Sequence, residues 1–231
     1  MSSNIRRQRP RGTITRDAVV FAALAVVDRV GCHSLTIRAV ARQVGAPPMS
    51  LYTHFANKDE LLDLMYLEVI RHLYTDDRHQ RWQEEMLALC RRIYTTLIQH
   101  PNWMPLLGRS SQTIDVPVRE RLLGMMVADG IPPELAFSMM TSAALSTMGF
   151  VLAQLTFRDP ASGQSRISQR MTALRQWAET ASDAPLTREA VTTKGEFDMP
   201  DVFERTAIAL LKGYEGMARE AREAREAQGT S

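Results

Sequence analysis

The chain has 231 residues, 45% of them hydrophobic and 23% charged, with a formal net charge of +2 at pH 7. That apolar share supports a buried core and excludes a disordered chain, and the length suits one small domain followed by a larger one. Cys32 and Cys90 stand in no metal or redox spacing, which excludes a disulfide framework and suits a reducing cytoplasm.

The small net charge conceals a polarity. Residues 1–58 hold nine Arg or Lys against two Asp or Glu, a balance of +7, which leaves −5 for the remainder. The basic end is where nucleic acid is expected. Five arginines, at positions 6, 7, 9, 11 and 16, precede Asp17, while Pro10 and Gly12 break any helix. This predicts a flexible basic arm over residues 1–13, which either follows phosphates or a minor groove, or is a solvated tail. The apolar run from Ala18 to Val27 is too short and too closely bounded by charge for a secretory signal. It predicts a first helix capped by Thr15 and closed at Gly31.

Thr36 can cap the next helix, in which Ile37, Val40, Ala41 and Val44 recur at helical spacing. Gly45 stops it by taking a left-handed conformation, and Pro48 suits the first position of a second short helix, expected over residues 48–54. Leu51 and Phe55 point inward from that helix; Met49, Ser50, Thr53 and His54 are left outward. Asn57 with Glu60 reads as a capping box for the helix that follows. Two helices joined by so tight a turn form a helix-turn-helix, whose second helix enters a DNA major groove.

The rest of the chain reads as helix after helix, so the whole is expected to be all-α: an N-terminal three-helix helix-turn-helix domain at residues 14–57, then a larger helical effector-binding and dimerisation domain at 58–231. Helices are expected over 58–78, 82–99, a short apolar piece at 102–109, then 116–128, 133–157 and 168–180. The loop around Pro160 and Gly163 and the stretch 182–200 are the least ordered-looking segments. A final helix carries Phe203, Ala207, Leu210, Leu211, Tyr214 and Met217 as a packed stripe, then continues into AREAREAREA, which reads as a solvated end with intrahelical ion pairs. Beyond the N-terminal run, no stretch approaches the eighteen or so residues of a membrane span.

The residues Leu35-Thr36, Arg38, Val40-Ala41, Gly45, Leu51-Tyr52, His54-Phe55 and Asn57-Lys58 resemble the DNA-binding motif of the tetracycline-repressor (TetR) family. A fainter similarity to that repressor's regulatory domain runs through His100-Pro101, Leu106-Leu107-Gly108, Asp129-Gly130 and residues 148–152. The resemblance implies a twofold-symmetric dimer held by a four-helix bundle, with residues 133–157 and 201–217 in the matching places. Where many members place a capping Ser or Thr before the reader helix, this chain has Pro47. The positions matching the tetracycline repressor's metal-ligating His and Glu hold Leu106 and Ala153, so a metal-chelate effector has no anchor.

Arg38 is expected to contact a base, because a guanidinium fork can bond both guanine acceptors and the position matches a base-contacting Arg of the tetracycline repressor. Pro48, Met49, Ser50 and Thr53 are expected to set the sequence read; Thr36, Tyr52, His54 and Lys58 are expected phosphate and positioning contacts. For a small effector the candidates are the flexible apolar Trp103, Met104, Leu107, Met125, Met126, Met140 and Phe150, with His100 and Gln154 as orienting polar groups. A dimer interface is expected at Ala143, Ala144, Gly149, Phe203, Ala207, Leu210, Leu211 and Tyr214. His72, Asp76 and His79 imitate a metal site but read as surface, and with no phosphate-cradling glycine loop or nucleophile elbow, no catalytic residue, cofactor or metal is expected. The expected partners are a double-stranded DNA operator, a small apolar or aromatic effector and a second copy of the chain, in the cytoplasm and without a membrane. The alternative is a helical interaction module, or an architectural DNA-binding protein without an effector.

Overall fold

A computed structural model describes residues 14–74, 79–109, 116–159, 165–181, 183–193 and 198–229. The basic arm at 1–13, Asp76, and the loop at Pro160 and Gly163 lie outside the described residues. Among the described residues the chain is all-α, apart from one bridge pairing Arg158 with Ser165. The helices in chain order are α1 (Arg16–Val30), α2 (Ile37–Val44), α3 (Pro48–Leu51), α4 (Lys58–Leu73), α5 (Trp82–Gln99), α6 (Met104–Leu107), α7 (Val116–Ala128), α8 (Pro133–Thr156), α9 (Arg166–Thr180), α10 (Pro185–Thr193) and α11 (Met199–Gly229), with a 3₁₀ turn at Pro101–Trp103 leading into α6. The chain divides into two compact units, residues 1–70 with 102–114, and residues 71–101 with 115–231.

In the first unit, local chemistry decides where helices begin and end. The Thr15 hydroxyl accepts from the Ala18 N–H to start α1, and Gly31, at φ 78°, closes it by donating its N–H to the Val27 carbonyl. α1 buries Val19, Val20, Ala23, Leu24, Val26 and Val27 and packs on α2. The chain returns to this unit at Asn102, whose side-chain amide donates to the Asp28 carbonyl at 2.9 Å while its own carbonyl accepts from the Cys32 thiol at 3.4 Å. Arg109 then bonds Asp59 at 3.3 Å and approaches Asp63 at 3.6 Å, tying the end of this segment to α4.

In the second unit α5 packs on α7, α8 and α11, and α8 packs on α7 and α11. The pairs Ser142 with Tyr214 and Phe150 with Phe203 run α8 and α11 antiparallel. Contrary to the sequence expectation, α8 is long and apolar enough to cross a membrane by length and composition; one face of it, with Ala136, Met139, Met140, Ala143, Thr147 and Val151, is buried within the unit.

Two further expectations are corrected. The stretch 182–200 contains α10, held to α9 by Arg188 donating to the Ala178 carbonyl at 2.9 Å and Arg175 donating to the Val191 carbonyl at 3.1 Å. The AREAREAREA end is more than a solvated end: Arg222 donates to both the backbone carbonyl and the carboxylate of Asp129, each at 2.9 Å, and Arg225 reaches the Gly130 carbonyl at 3.4 Å. Those carbonyls close α7, where a cation offsets the negative end of the helix.

Candidate nucleic-acid interface

The interface is built by capping chemistry over residues 36–60. The Thr36 hydroxyl accepts from the Ala39 N–H at 3.2 Å, and Gly45, at φ 78° and ψ 34°, ends α2 in the left-handed region, with the N–H groups of Gly45 and Ala46 both donating to the Ala41 carbonyl. A β-carbon in that conformation clashes with its own backbone, which is why glycine belongs there. The turn delivers Pro47 and Pro48, and α3 begins with no side-chain cap.

α3 is shorter than expected, ending at Leu51 rather than near His54. Its hydrogen bonds explain why. The Ser50 N–H and hydroxyl both go to the Pro47 carbonyl, at 3.1 and 2.7 Å, the Thr53 hydroxyl goes to the Ser50 carbonyl at 2.8 Å, and the His54 N–H goes to the Leu51 carbonyl at 2.9 Å. Bonds spanning three residues tighten the segment into turns, and side-chain hydroxyls occupy carbonyls that a continuing α-helix needs. Leu51 and Phe55 remain buried beneath it, and Tyr52 leans its ring on Phe55 at 5.8 Å.

α4 then starts beside this segment. Asn57 Oδ1 accepts from the Glu60 N–H at 2.9 Å, but the returning bond goes from the Ala56 N–H, not that of Asn57, to Glu60 Oε2 at 2.7 Å. Glu60 also meets Arg16 at 3.3 Å, so this carboxylate is engaged from two sides. Lys58 stands exposed at the N-terminus of α4, whose unpaired N–H groups favour an anion.

The nine candidate DNA contacts fall within this single unit. Thr36, Arg38, Pro48, Met49, Tyr52, Thr53 and Lys58 are exposed, Met49 at 77%, and Ser50 and His54 are half-buried. Arg38 has no carboxylate partner among the described residues. Arg42, one helical turn on, is also exposed and likewise unpartnered among them; the sequence reading passed over it, although the four-residue spacing from Arg38 was the available signal. With the Ser50 and Thr53 hydroxyl protons held by backbone carbonyls, these side chains offer acceptor lone pairs, and Thr53 also offers a methyl group.

The effector candidates are divided between the units. Trp103, buried, and Met104 and Leu107, half-buried, lie with the first; His100, Met125, Met126, Met140, Phe150 and Gln154 lie with the second. Phe150 and Gln154 are brought together around Phe203: Phe150 meets it edge-on at 5.8 Å, Tyr94 stacks on it at 4.1 Å, and the Tyr94 hydroxyl donates to Gln154 Oε1. Sequence reading missed Tyr94, which lies 60 residues from its partner with no local signal. Burial, followed by the charge of Asp198, raises the Tyr94 hydroxyl above its ordinary range and keeps it a donor. Met126 is wholly buried, whereas Met125 lines a separate cavity of about 610 Å³ with Trp82, Asp129 and Arg222.

Of the interface candidates, Ala143, Phe203, Ala207, Leu211 and Tyr214 are buried within the chain's own second unit; Ala144 and Leu210 are half-buried and Gly149 is exposed. The large apolar side chains left in solvent on the same helices are Phe137, Leu145 and Leu152 of α8 and Ile208 and Met217 of α11. Among the described residues no cluster of three His, Cys, Asp or Glu is placed to hold a metal.

Residues 20–65 match the model of bacterial regulatory proteins of the tetR family, and residues 75–218 match that of the tetracyclin repressor-like C-terminal domain. The chain is 35% identical over 111 residues to the HTH-type transcriptional repressor DrrR1 of Streptomyces coeruleorubidus, a match covering 44% of this chain and 41% of that repressor. It is 24% identical over 209 residues to the class D tetracycline repressor protein of Escherichia coli, covering 87% and 89%. In fold it is similar to apo ActR from Streptomyces coelicolor, with a TM-score of 0.69 at 22% identity over 91% of this chain and 99% of that one. ActR is also known in complex with actinorhodin, and that structure matches with a TM-score of 0.65 at 21% identity over 90% and 99%.

Proposed function

The chain belongs to the tetR family of bacterial regulatory proteins, and on that premise we propose that it is a dimeric, ligand-responsive transcriptional regulator that represses by occupying a twofold DNA operator. The observation that carries this reading is the surface that runs from α2 through the Gly45 turn and α3 to the start of α4. Arg38, Arg42, Met49, Tyr52, Thr53 and Lys58 all stand exposed there with no carboxylate partner among the described residues. A surface that combines base-reading groups with phosphate-binding cations is what major-groove recognition requires. Arg38 reads a base, Pro48, Met49, Ser50 and Thr53 shape the preference, and Thr36, Tyr52, His54, Lys58 and Arg42 fix register on the phosphates.

The chain acts by binding rather than catalysis, inside the cell where the operator is. A second copy docks on the face of α8 and α11 that carries Phe137, Leu145, Leu152, Ile208 and Met217, beside Ala144, Gly149 and Leu210. The effector is an apolar or aromatic small molecule, because Leu106 and Ala153 leave no metal anchor. ActR, a protein of the same fold, is known in complex with actinorhodin, which supports a small-molecule effector for this chain. Phe150 and Gln154, with Tyr94, are the groups proposed to orient it. An effector that binds the non-DNA state more tightly shifts the population away from the operator-bound form.

The test compares the affinity of the purified protein for DNA upstream of its own gene, and for a shuffled duplex, at two salt concentrations. A preference retained at both salts supports the reading. Equal binding that falls with salt in parallel on both duplexes sinks it in favour of an architectural binder.

A further inference from the structure

α9 carries an exposed stripe at helical spacing: Arg166, Arg170, Ala173 and Trp177, the last with 52% of its surface in solvent. The adjoining stripe of Ile167, Met171 and Leu174 is half-buried. Phe157, the residue that closes α8, is tied to the start of α9 by its carbonyl, which accepts from the Arg166 N–H at 2.7 Å. These side chains line a groove of about 620 Å³, in the size range of small-molecule sites.

The charge in this groove is of one sign. Its lining holds two guanidiniums and no carboxylate, and among the described residues neither Arg166 nor Arg170 has a carboxylate partner. Both also stand where a helix least favours cations. The N-terminus of α9 is the positive end of its dipole, the first turn has no acidic residue, and a like-charged pair four residues apart adds repulsion. An anion at this end of the groove relieves both effects, whereas a neutral occupant relieves neither. A guanidinium fork, moreover, matches a carboxylate in shape as well as charge.

The groove is polar at one end only. Along the axis of α9, at about 1.5 Å per residue, Trp177 stands about 10 Å from Arg170 and about 16 Å from Arg166. Ala173, whose side chain is a single methyl, leaves the hollow between the cations and the indole, and Phe157, Met171, Leu174 and Trp177 give that hollow apolar walls. An occupant that satisfies both ends therefore carries its charge at one end of an elongated apolar body.

We propose that this groove binds an amphiphilic anion, a carboxylate on an apolar tail, with the head on Arg166 and Arg170 and the tail over Ala173 toward Trp177. Binding here is independent of the regulator reading, and none of the lining residues belongs to the Phe150, Gln154 and Tyr94 cluster proposed above to orient an effector.

The test is the intrinsic fluorescence of the full-length protein titrated with decanoate. Of the three tryptophans, Trp82 and Trp103 are buried, so a change in solvent exposure is read chiefly at Trp177. Decanoate should shift the emission to the blue with one-site saturation, and Trp177→Phe should abolish that shift. Decanol, which has the same tail without the charge, should bind about tenfold more weakly, the scale of a charge-assisted hydrogen bond. The double variant Arg166→Gln with Arg170→Gln should lose decanoate affinity by about the same factor, while lysine at both positions should retain most of it. Ala173→Glu, on the exposed stripe, places a carboxylate in the hollow and should weaken decanoate likewise with helicity unchanged. No saturable shift, equal affinity for decanol, or unchanged affinity in the double glutamine variant overturns the proposal. So does wild-type emission that is already that of a buried indole and moves to the red on dilution, which would mean that a second copy of the chain covers the groove.

Discussion

Gly45 offers a sharp test of how the reader helix is aimed. It sits at φ 78° and ψ 34°, and a β-carbon built there meets nothing within 4 Å, so a substitution is opposed by backbone conformation and not by packing. An L-residue in the left-handed region costs about 1–2 kcal/mol, while losing the flexibility of glycine in the unfolded chain returns about 0.4–1 kcal/mol. Gly45→Ala should therefore destabilise by about 1 kcal/mol. Gly45→Asn should cost less, since its short polar side chain can bond locally, and Gly45→Val should cost most, since β-branching stiffens the side chain against this backbone. For a chain of this size, about 1 kcal/mol corresponds to a fall in Tm of about 2–4 °C. Denaturant titration of the three variants gives the order, and operator affinity should follow it, because relieving the strain re-aims α3. An alanine variant as stable as wild type would refute the left-handed turn. A loss above about 4 kcal/mol would refute the claim that no packing term contributes.

Other outcomes follow from the same geometry. Arg38→Ala should cost about 1–3 kcal/mol of operator affinity and relax preference at one base pair, whereas Arg42→Ala should weaken all duplexes alike and reduce the salt dependence by about one counterion; competition with singly substituted operators separates the two. Leu152→Glu, on the exposed face of α8, should shift sedimentation toward the monomer without lowering monomer helicity; an unchanged dimer would place the interface elsewhere. The Arg91–Glu204 ion pair makes a pH prediction. The hydrogen bond from Arg91, aided by its charge, holds the Glu204 carboxyl below the usual range, so the pair contributes stability above the ordinary carboxylate pKa and loses it as pH falls through the lowered one. Glu204→Gln should therefore flatten acid unfolding only at and below the ordinary carboxylate range, by a small amount because the pair is largely solvated. A change confined to neutral pH would contradict this.

What the sequence by itself determined lies within about four residues of its cause. Thr15 and Thr36 start helices because a hydroxyl reaches an N–H three residues on, Gly31 and Gly45 end them because only glycine takes positive φ cheaply, and Pro48 opens α3 because its missing N–H costs nothing there. The exposure of Arg38 and Met49 was legible for the same reason, since exposure on a short helix follows from its period. Only the tertiary structure decided which distant groups meet. Tyr94 finds Gln154, Arg121 finds Glu85, and Arg222, read from sequence as part of a solvated end, finds Asp129. Even the length of α3 depended on how Ser50 and Thr53 spent their hydroxyls rather than on propensity. Burial likewise turned Ala143, Phe203, Ala207, Leu211 and Tyr214 toward the chain's own interior and left Phe137, Leu145 and Leu152 outside. A periodic stripe states that a helix has an apolar face, but which part of that face a neighbour covers depends on helix crossings set by every other helix in the unit.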